Sequence, residues 1–483
     1  KAGFKNAIIA KDPPTKEEDP EFSPEDIRYS VVRYVASTTR NAVGPSVSDP
    51  RTGEIIESDI IWYHNHLRSY RNRFMIEAGA QNPNARTLNT PEAEIGEMMR
   101  MVIAHEVGHA LGLPHNMKAS SAYPTDSLRS AEFTQKYGLT PSIMDYARVN
   151  YVAQPEDKDV RYIRMMGPYD LYAINWGYRY LPEANSPKAE KEILDKWIAE
   201  KAGDPVYEFG GGYDGVDPQS QRESLGRDQV KASEYGLENL KKVVPNLIKW
   251  TSKDGYGYDD LEEVYRELNY MWRGYVNHVI TNIGGVYETR KTSEQAGAIY
   301  EPVPAEIQKD AVAFLNEEAF TTPEWLLNED LLSRIESSGA IERVQQMQTR
   351  ALREVLERDR LMRMVANEEK QPEKAYNVSD LMQDLRRGIF RELYNGEKTD
   401  AYRRNLQRSY VDAAASYLKN LEEGEIESIK KSDIMPLMRG ELETLKKAII
   451  RRKSRTNHQL TSYHWNDLIA RIDQAVSIEG NLN

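Results

Sequence analysis

Cysteine is missing from all 483 residues, which excludes disulfide frameworks, thiolate metal sites and thiol nucleophiles together. No run of about 18 uncharged apolar residues occurs either, so no stretch reads as a transmembrane helix. Basic excess is also lacking. The 64 Lys and Arg residues face 76 Asp and Glu, a net charge of −12, and such a field repels nucleic acid and anionic membranes. The local exception, Arg451-Arg452-Lys453-Ser454-Arg455, ends a helical pattern and reads as solvated, dipole-capping charge. Histidine is scarce as well, with eight in the chain, so it matters that three of them stand between positions 105 and 115.

What is present suffices for a large fold. Hydrophobic residues make up 40% of the sequence, enough for two or three domains at roughly 150 residues each. The first residue is Lys1, which reads as a chain processed or cut from a longer one. After a Pro- and acid-rich lead-in, Ile27 to Ala36 alternates like a strand and Glu54 to His64 like a second one. Thr90-Pro91 reads as an N-cap and first-turn proline opening a helix to about Leu111. From about Gly167 the texture becomes aromatic, then Gly-rich, then almost entirely helical. Apolar residues recur at three and four over Leu237–Trp250, Asp260–Asn282, Ile341–Asn367, Val378–Tyr394, Ala401–Leu421, Leu437–Arg452 and Trp465–Val476. The expected class is α+β, with an N-terminal module over 1–180, an intermediate region over 181–300 and a helical domain over 301–483.

The chemistry concentrates in HEVGHALGLPHN, His105 to Asn116. On a helix His105 and His109 project from one face, one turn apart, so that both imidazoles can meet one ion at about 2.1 Å. Glu106 lies about 100° around the helix, placed to work on a water beside the ion as a general base rather than to ligate it. A catalytic zinc usually takes three protein ligands, and Gly112 opens the route to the third. A glycine there can take positive φ, end the helix and turn the chain so that His115 swings back, with Pro114 stiffening the return. Five fixed positions match by chance in a chain this long at odds on the order of 10⁻⁵.

His105-Glu106-x-x-His109-x-x-Gly112-x-x-His115 resembles the extended zinc signature of the metzincin metalloendopeptidases. SIMDY, Ser142 to Tyr146, resembles their methionine turn, which implies that Met144 floors the three imidazoles. Tyr146, two residues on, is placed as in the astacin-like and serralysin-like members, which implies a phenol that hydrogen-bonds the tetrahedral intermediate. The strand Glu54 to Trp62 matches in order the edge strand that pairs with extended substrate. The arrangement is similar to Bacteroides-type metzincins with a long helical C-terminal region, specifically over Gly53 to Tyr178 and in texture beyond. The resemblance implies one catalytic zinc, a peptide or protein substrate, and a location outside the cytoplasm, in periplasm or at the cell surface. KAGFKNAI then reads as the tail of an earlier helix, so the catalytic module is expected to be N-terminally incomplete. Asn116 departs from the residues that follow the third histidine in the better-known subfamilies, so no substrate preference transfers.

Two weaker constellations remain. His64 and His66 share a face at strand spacing but have no carboxylate close by, and they read as surface or cleft-rim residues rather than a second metal site. Asp214, Asp217 and Asp228 form a candidate calcium loop without tight acidic spacing, and read as turn formers. Taken together, the sequence describes a zinc endopeptidase; the alternative from another class is a catalytically silent binding or scaffold protein on the same fold.

Overall fold

The computed structural model describes residues 2–212, 215–418 and 432–477. Two compact units divide the chain, one comprising 1–214 with 219–256 and the other 215–218 with 257–483. The stretch read from sequence as one intermediate region, 181–300, is shared between them.

In the first unit residues 2–30 are irregular chain with a few turns, and residues 2–8 show none of the helix expected of KAGFKNAI. Strands β1 (Val32–Val35), β2 (Ala42–Val43), β3 (Ser46–Ser48), β4 (Ile55–Ser58) and β5 (Ile60–Tyr63) follow. The single strand expected over Glu54–His64 is therefore two. Asp59 breaks it, its carboxylate accepting the Val31 amide at 2.8 Å and pairing with Arg33 at 2.6 Å. The order of the three-stranded sheet is β1-β5-β2, with β1 parallel and β2 antiparallel to β5, while β3 and β4 form a separate hairpin. Alternation in IIWY buries Ile60 and Trp62 and leaves Ile61 and Tyr63 half-buried.

Helix α1 (His66–Ala78) then runs into the core, burying Tyr70, Phe74 and Ala78 at a spacing of four. Helix α2 (Glu92–Ala110) starts after Pro91, with no side-chain cap from Thr90. Trp62, Phe74, Met98, Met101, Val102, Ile143, Met144 and Ile163 pack as one cluster. Further helices include α3 (Ala131–Tyr137), α4 (Pro168–Tyr178), α5 (Pro187–Ala199) and α6 (Gln229–Val243).

The second unit is helical apart from a hairpin of Val286–Glu288 with Tyr300–Pro302. The long pattern Ile341–Asn367 divides into helices Ala340–Val355 and Arg358–Lys370, because Glu357 turns its carboxylate onto the amides of Asp359 and Arg360 as a cap. The helix Ala401–Ser416 ends before Leu421, a residue that lies outside the described ones. A polar network is sealed inside this unit. His464 Nε2 donates to Gln407 Oε1 at 2.8 Å, and Gln407 Nε2 donates to the Ile389 carbonyl and to Glu392, each at 2.9 Å. Arg403 completes it on Glu392 at 2.5 Å. Among the described residues no helix is long and apolar enough to cross a membrane.

Candidate metal centre

The C-terminal end of α2 is built as the sequence requires. Gly112 has φ +80°, and the amides of Gly112 and Leu113 donate back to the carbonyls of His109 and Gly108 at 2.8 and 2.9 Å. This pair of bonds is the Schellman closure, which satisfies two helix-end carbonyls while reversing the chain. Tyr178 at the end of α4 donates to the Leu111 carbonyl at 2.9 Å and fastens the same corner. The return brings His115 against His109, with ring centroids 4.6 Å apart, while His105 and His109 lie 4.7 Å apart.

One ligand nitrogen from each of His105, His109 and His115 falls within 4.8 Å of the others. Their hydrogen bonds fix which nitrogen that is. His105 Nδ1 meets the Ile143 carbonyl at 2.8 Å and His109 Nδ1 meets the Leu113 carbonyl at 2.9 Å. Carbonyl oxygens only accept, so both Nδ1 atoms carry the proton and both Nε2 atoms are bare lone pairs. His109 Nε2 and His115 Nε2 stand 3.1 Å apart. Two nitrogens on one tetrahedral zinc at about 2.1 Å are separated by roughly 3.4 Å, so the pair already has nearly the required spacing. Burial, with Arg164 adding to it, holds His105 well below its usual pKa, and burial pushes His115 down to about 4, so both imidazoles are neutral and able to ligate near pH 7. A three-nitrogen donor set with backbone partners on two outer nitrogens fits zinc.

Beneath the histidines Met144 is fully buried, and its sulfur explains the glycine inside HEVGH. A Cβ at Gly108 would lie 2.3 Å from Met144 Sδ. Two aspartates that the sequence reading did not single out hold this turn. Asp170, near the start of α4, accepts from Ser142 Oγ at 2.7 Å and from the amides of Ile143 and Gly167, both at 2.8 Å. Asp145 accepts from the amides of Ser120 and Ala147 at 2.7 and 3.0 Å, while burial pushes its carboxyl up to about 7. Asn116 has a structural role: its amide donates to the Met144 carbonyl at 3.1 Å and its side chain bridges Glu208 and Gly210.

A cavity of about 370 Å³ opens over the site, lined among others by Ala42, Gly44, Glu106, Tyr146, Arg148 and Arg164. Burial raises the Glu106 carboxyl to about 7, against the pull of Arg164 and Arg148. A carboxyl in that range exchanges protons readily at neutral pH. Tyr146 packs its ring on His115 with centroids 4.6 Å apart, the Arg148 guanidinium lies 5.2 Å from its ring centre, and burial raises its phenol. The strand bordering the cavity is β2. The sequence expected Glu54–Trp62 to be the edge strand; instead β5 is central in its sheet, because β2 pairs along its other side. Gly44 comes close enough that a Cβ there would stand 3.0 Å from the Glu106 carbonyl oxygen.

The weaker constellations do not assemble. His64 contacts the Tyr34 hydroxyl, whereas His66 is buried at the start of α1 and lines the cavity. Asp228 caps α6 through the Lys231 amide at 3.0 Å, Asp217 accepts the Glu288 amide at 3.2 Å, and Asp214 lies outside the described residues. Among the described residues the three histidines are the one group of potential ligands close enough to hold an ion.

No curated protein and no solved structure matches the chain. A family model described as Met-zincin matches residues 87–397, a span that holds the three histidines, Glu106 and Met144. Since that match covers well over half of the sequence, the chain belongs to the Met-zincin family.

Proposed function

We propose that this protein is a zinc-dependent endopeptidase with His105, His109 and His115 as ligands. One observation carries the reading: the Nδ1 hydrogens of His105 and His109 are spent on carbonyls, which leaves Nε2 lone pairs beside His115 and a buried carboxylate, Glu106, in the same cavity. Zinc in that set would supply Lewis acidity, polarising the scissile carbonyl and acidifying water. Glu106 takes the proton of the attacking water and returns it to the leaving amine. Tyr146 donates its phenol hydrogen to the oxyanion that develops in the transition state, and Met144 keeps the floor of the site dry and rigid. The outer edge of β2, over 41–45, offers backbone groups to an extended peptide, so binding reads main chain before side chains. A place outside the cytoplasm belongs with this reading.

The test is incubation with a mixed peptide library, with and without a chelator, for the wild type and Glu106→Ala. Chelator-sensitive cleavage by the wild type and none by the variant at equal zinc content is the expected result. Retained cleavage by Glu106→Ala sinks the mechanism. Silence of both proteins despite bound zinc leaves the silent binding or scaffold role.

A further inference from the structure

The inner wall of the cavity carries a guanidinium that makes no salt bridge among the described residues. Arg164 is 3% exposed, and its Nε and Nη1 atoms are buried without any hydrogen-bond partner. Its Nη2 lies 3.4 Å from His105 Nδ1, but that nitrogen already donates to the Ile143 carbonyl and has no lone pair to offer. The acids around it, Asp145 and Glu223, attract it through space but make their bonds elsewhere. Both Asp145 oxygens accept backbone amides, and Glu223 is shared between Arg148 at 3.0 Å and Arg73 at 2.8 Å. Of the cavity's lining residues two are arginines, Arg148 and Arg164, and a single one, Glu106, is acidic. Arg148 has Glu223 as its ion-pair partner, so Arg164 is the guanidinium of this wall left without one, and in a chain of net charge −12 that comes from placement and not from composition.

Burying a guanidinium with most of its five donors unsatisfied is costly, and the cost is recovered when a partner arrives that matches them. A carboxylate does so, because the planar fork of arginine meets both oxygens at once, and at a buried guanidinium the attraction is less screened than at the surface. We propose that Arg164 is the specificity-determining residue of the cavity and takes a carboxylate of the peptide, either an aspartate or glutamate side chain or the free carboxyl end. This rests on the peptide-cleaving reading given above. Glu106 then stays free for proton transfer, since the incoming acid is held by Arg164, with Arg148 beside it.

The test uses the zinc-loaded full chain and decapeptides that differ at one residue. Glutamate is exchanged for glutamine at each position in turn, and a second arm compares the free C-terminal acid with its amide. Cleavage is read as kcat/KM, and binding is read separately by fluorescence anisotropy on Glu106→Ala. At one position glutamate should exceed glutamine by on the order of 50-fold, a ratio that falls toward one in Arg164→Met and partly survives in Arg164→Lys. The ratio between two peptides is insensitive to a general loss of folded protein, and the comparison in the wild type needs no variant. A preference for the acid over the amide at the C-terminus assigns the carboxylate to the chain end instead and supports the same role of Arg164. Cleavage that ignores both exchanges overturns the role of Arg164 while leaving the endopeptidase standing. Carboxylate-dependent binding without cleavage of any peptide does the reverse, and the absence of both cleavage and binding overturns both.

Discussion

Two groups of buried histidine can be compared, one in each unit. In the second unit His464 has both ring nitrogens addressed: Nε2 donates to Gln407 Oε1 at 2.8 Å and the Arg408 guanidinium faces Nδ1 at 3.4 Å. In the first, His105 and His109 have their Nδ1 atoms satisfied by carbonyls, yet the Nε2 atoms of His109 and His115 confront one another. Burial lowers the pKa in both places, to about 3 at His464 and to about 4 at His115. Burial and a depressed pKa therefore do not mark a functional histidine. What separates the two groups is whether the neutral ring's acceptor nitrogen is answered inside the protein or left for a ligand.

The sharpest way to break that comparison is a substitution in each group. His115→Ala should remove one of three ligands, so zinc bound per chain falls from one to a small fraction and cleavage is lost, while unfolding of the chelator-treated protein barely shifts. His464→Ala should do the opposite. It strips the network of a buried donor and leaves Gln407 Oε1 unsatisfied, a loss of about 2 kcal/mol in denaturant unfolding, with zinc content unchanged. If His464→Ala lost zinc, or His115→Ala lost stability on the same scale, the distinction drawn here would be wrong.

Acid sharpens the contrast further. With a folded pKa of about 3 against an ordinary 6.5, His464 binds fewer protons folded than unfolded between those values. Its contribution is thus fully present above pH 6.5 and is lost as pH falls, at about 1.4 kcal/mol per pH unit. His464→Gln keeps a donor for Gln407 but cannot titrate. Between pH 7 and 5 the chelator-treated wild type should therefore lose about 2 kcal/mol more than this variant, since the histidines of the first unit titrate equally in both. Identical pH slopes would contradict the buried, neutral state of His464.

A smaller effect is expected from Gly108→Ala. The added Cβ would sit 2.3 Å from Met144 Sδ, so the methionine turn has to shift, at a cost of about 1 to 3 kcal/mol. Zinc affinity should weaken with it, because the Ile143 carbonyl that orients His105 belongs to the same turn. Zinc titration of the folded variant would show this, and unchanged affinity would mean that the turn adjusts without moving Ile143.

How much of this was legible in the sequence depends on the range over which each feature is decided. The helix carrying His105 and His109, the turn at Gly112 and the return of His115 are settled within eleven residues by helix periodicity and one positive φ, so spacing alone places them. Met144 was legible through resemblance, since nothing local says what a buried methionine floors. The helical character of the second unit followed from apolar periodicity, whereas its breaks, as at Glu357, depend on a carboxylate choosing backbone amides over solvent. Helix α1 was missed because arginines interrupt its stripe, although Tyr70, Phe74 and Ala78 keep the spacing of four. Arg164, Asp170 and Gly44 were invisible for another reason: each meets the site across 27 to 62 residues of chain, and no local pattern encodes such pairing. A Gly-Pro dipeptide such as Gly44-Pro45 reads as a turn in any sequence.

Gly44 yields the smallest predicted effect and the one most specific to the first unit. Its ideal Cβ would lie 3.0 Å from the Glu106 carbonyl oxygen and 3.4 Å from Glu106 Oε2, a contact that is tight but not prohibitive. Since Gly44 does not have positive φ, alanine meets no backbone penalty, and its whole effect falls on the spacing between the strand β2 and Glu106. Alanine there should push the strand and the carboxylate apart by a few tenths of an ångström, leaving zinc content and unfolding unchanged. Misplacement by a full ångström can cost on the order of 100-fold, so Gly44→Ala should lower kcat/KM by roughly fivefold, mostly in kcat. A loss carried by KM instead would assign Gly44 to holding the peptide against the edge of β2, not to leaving room for Glu106. Gly44→Val, with more bulk at the same point, should extend whichever loss alanine produces.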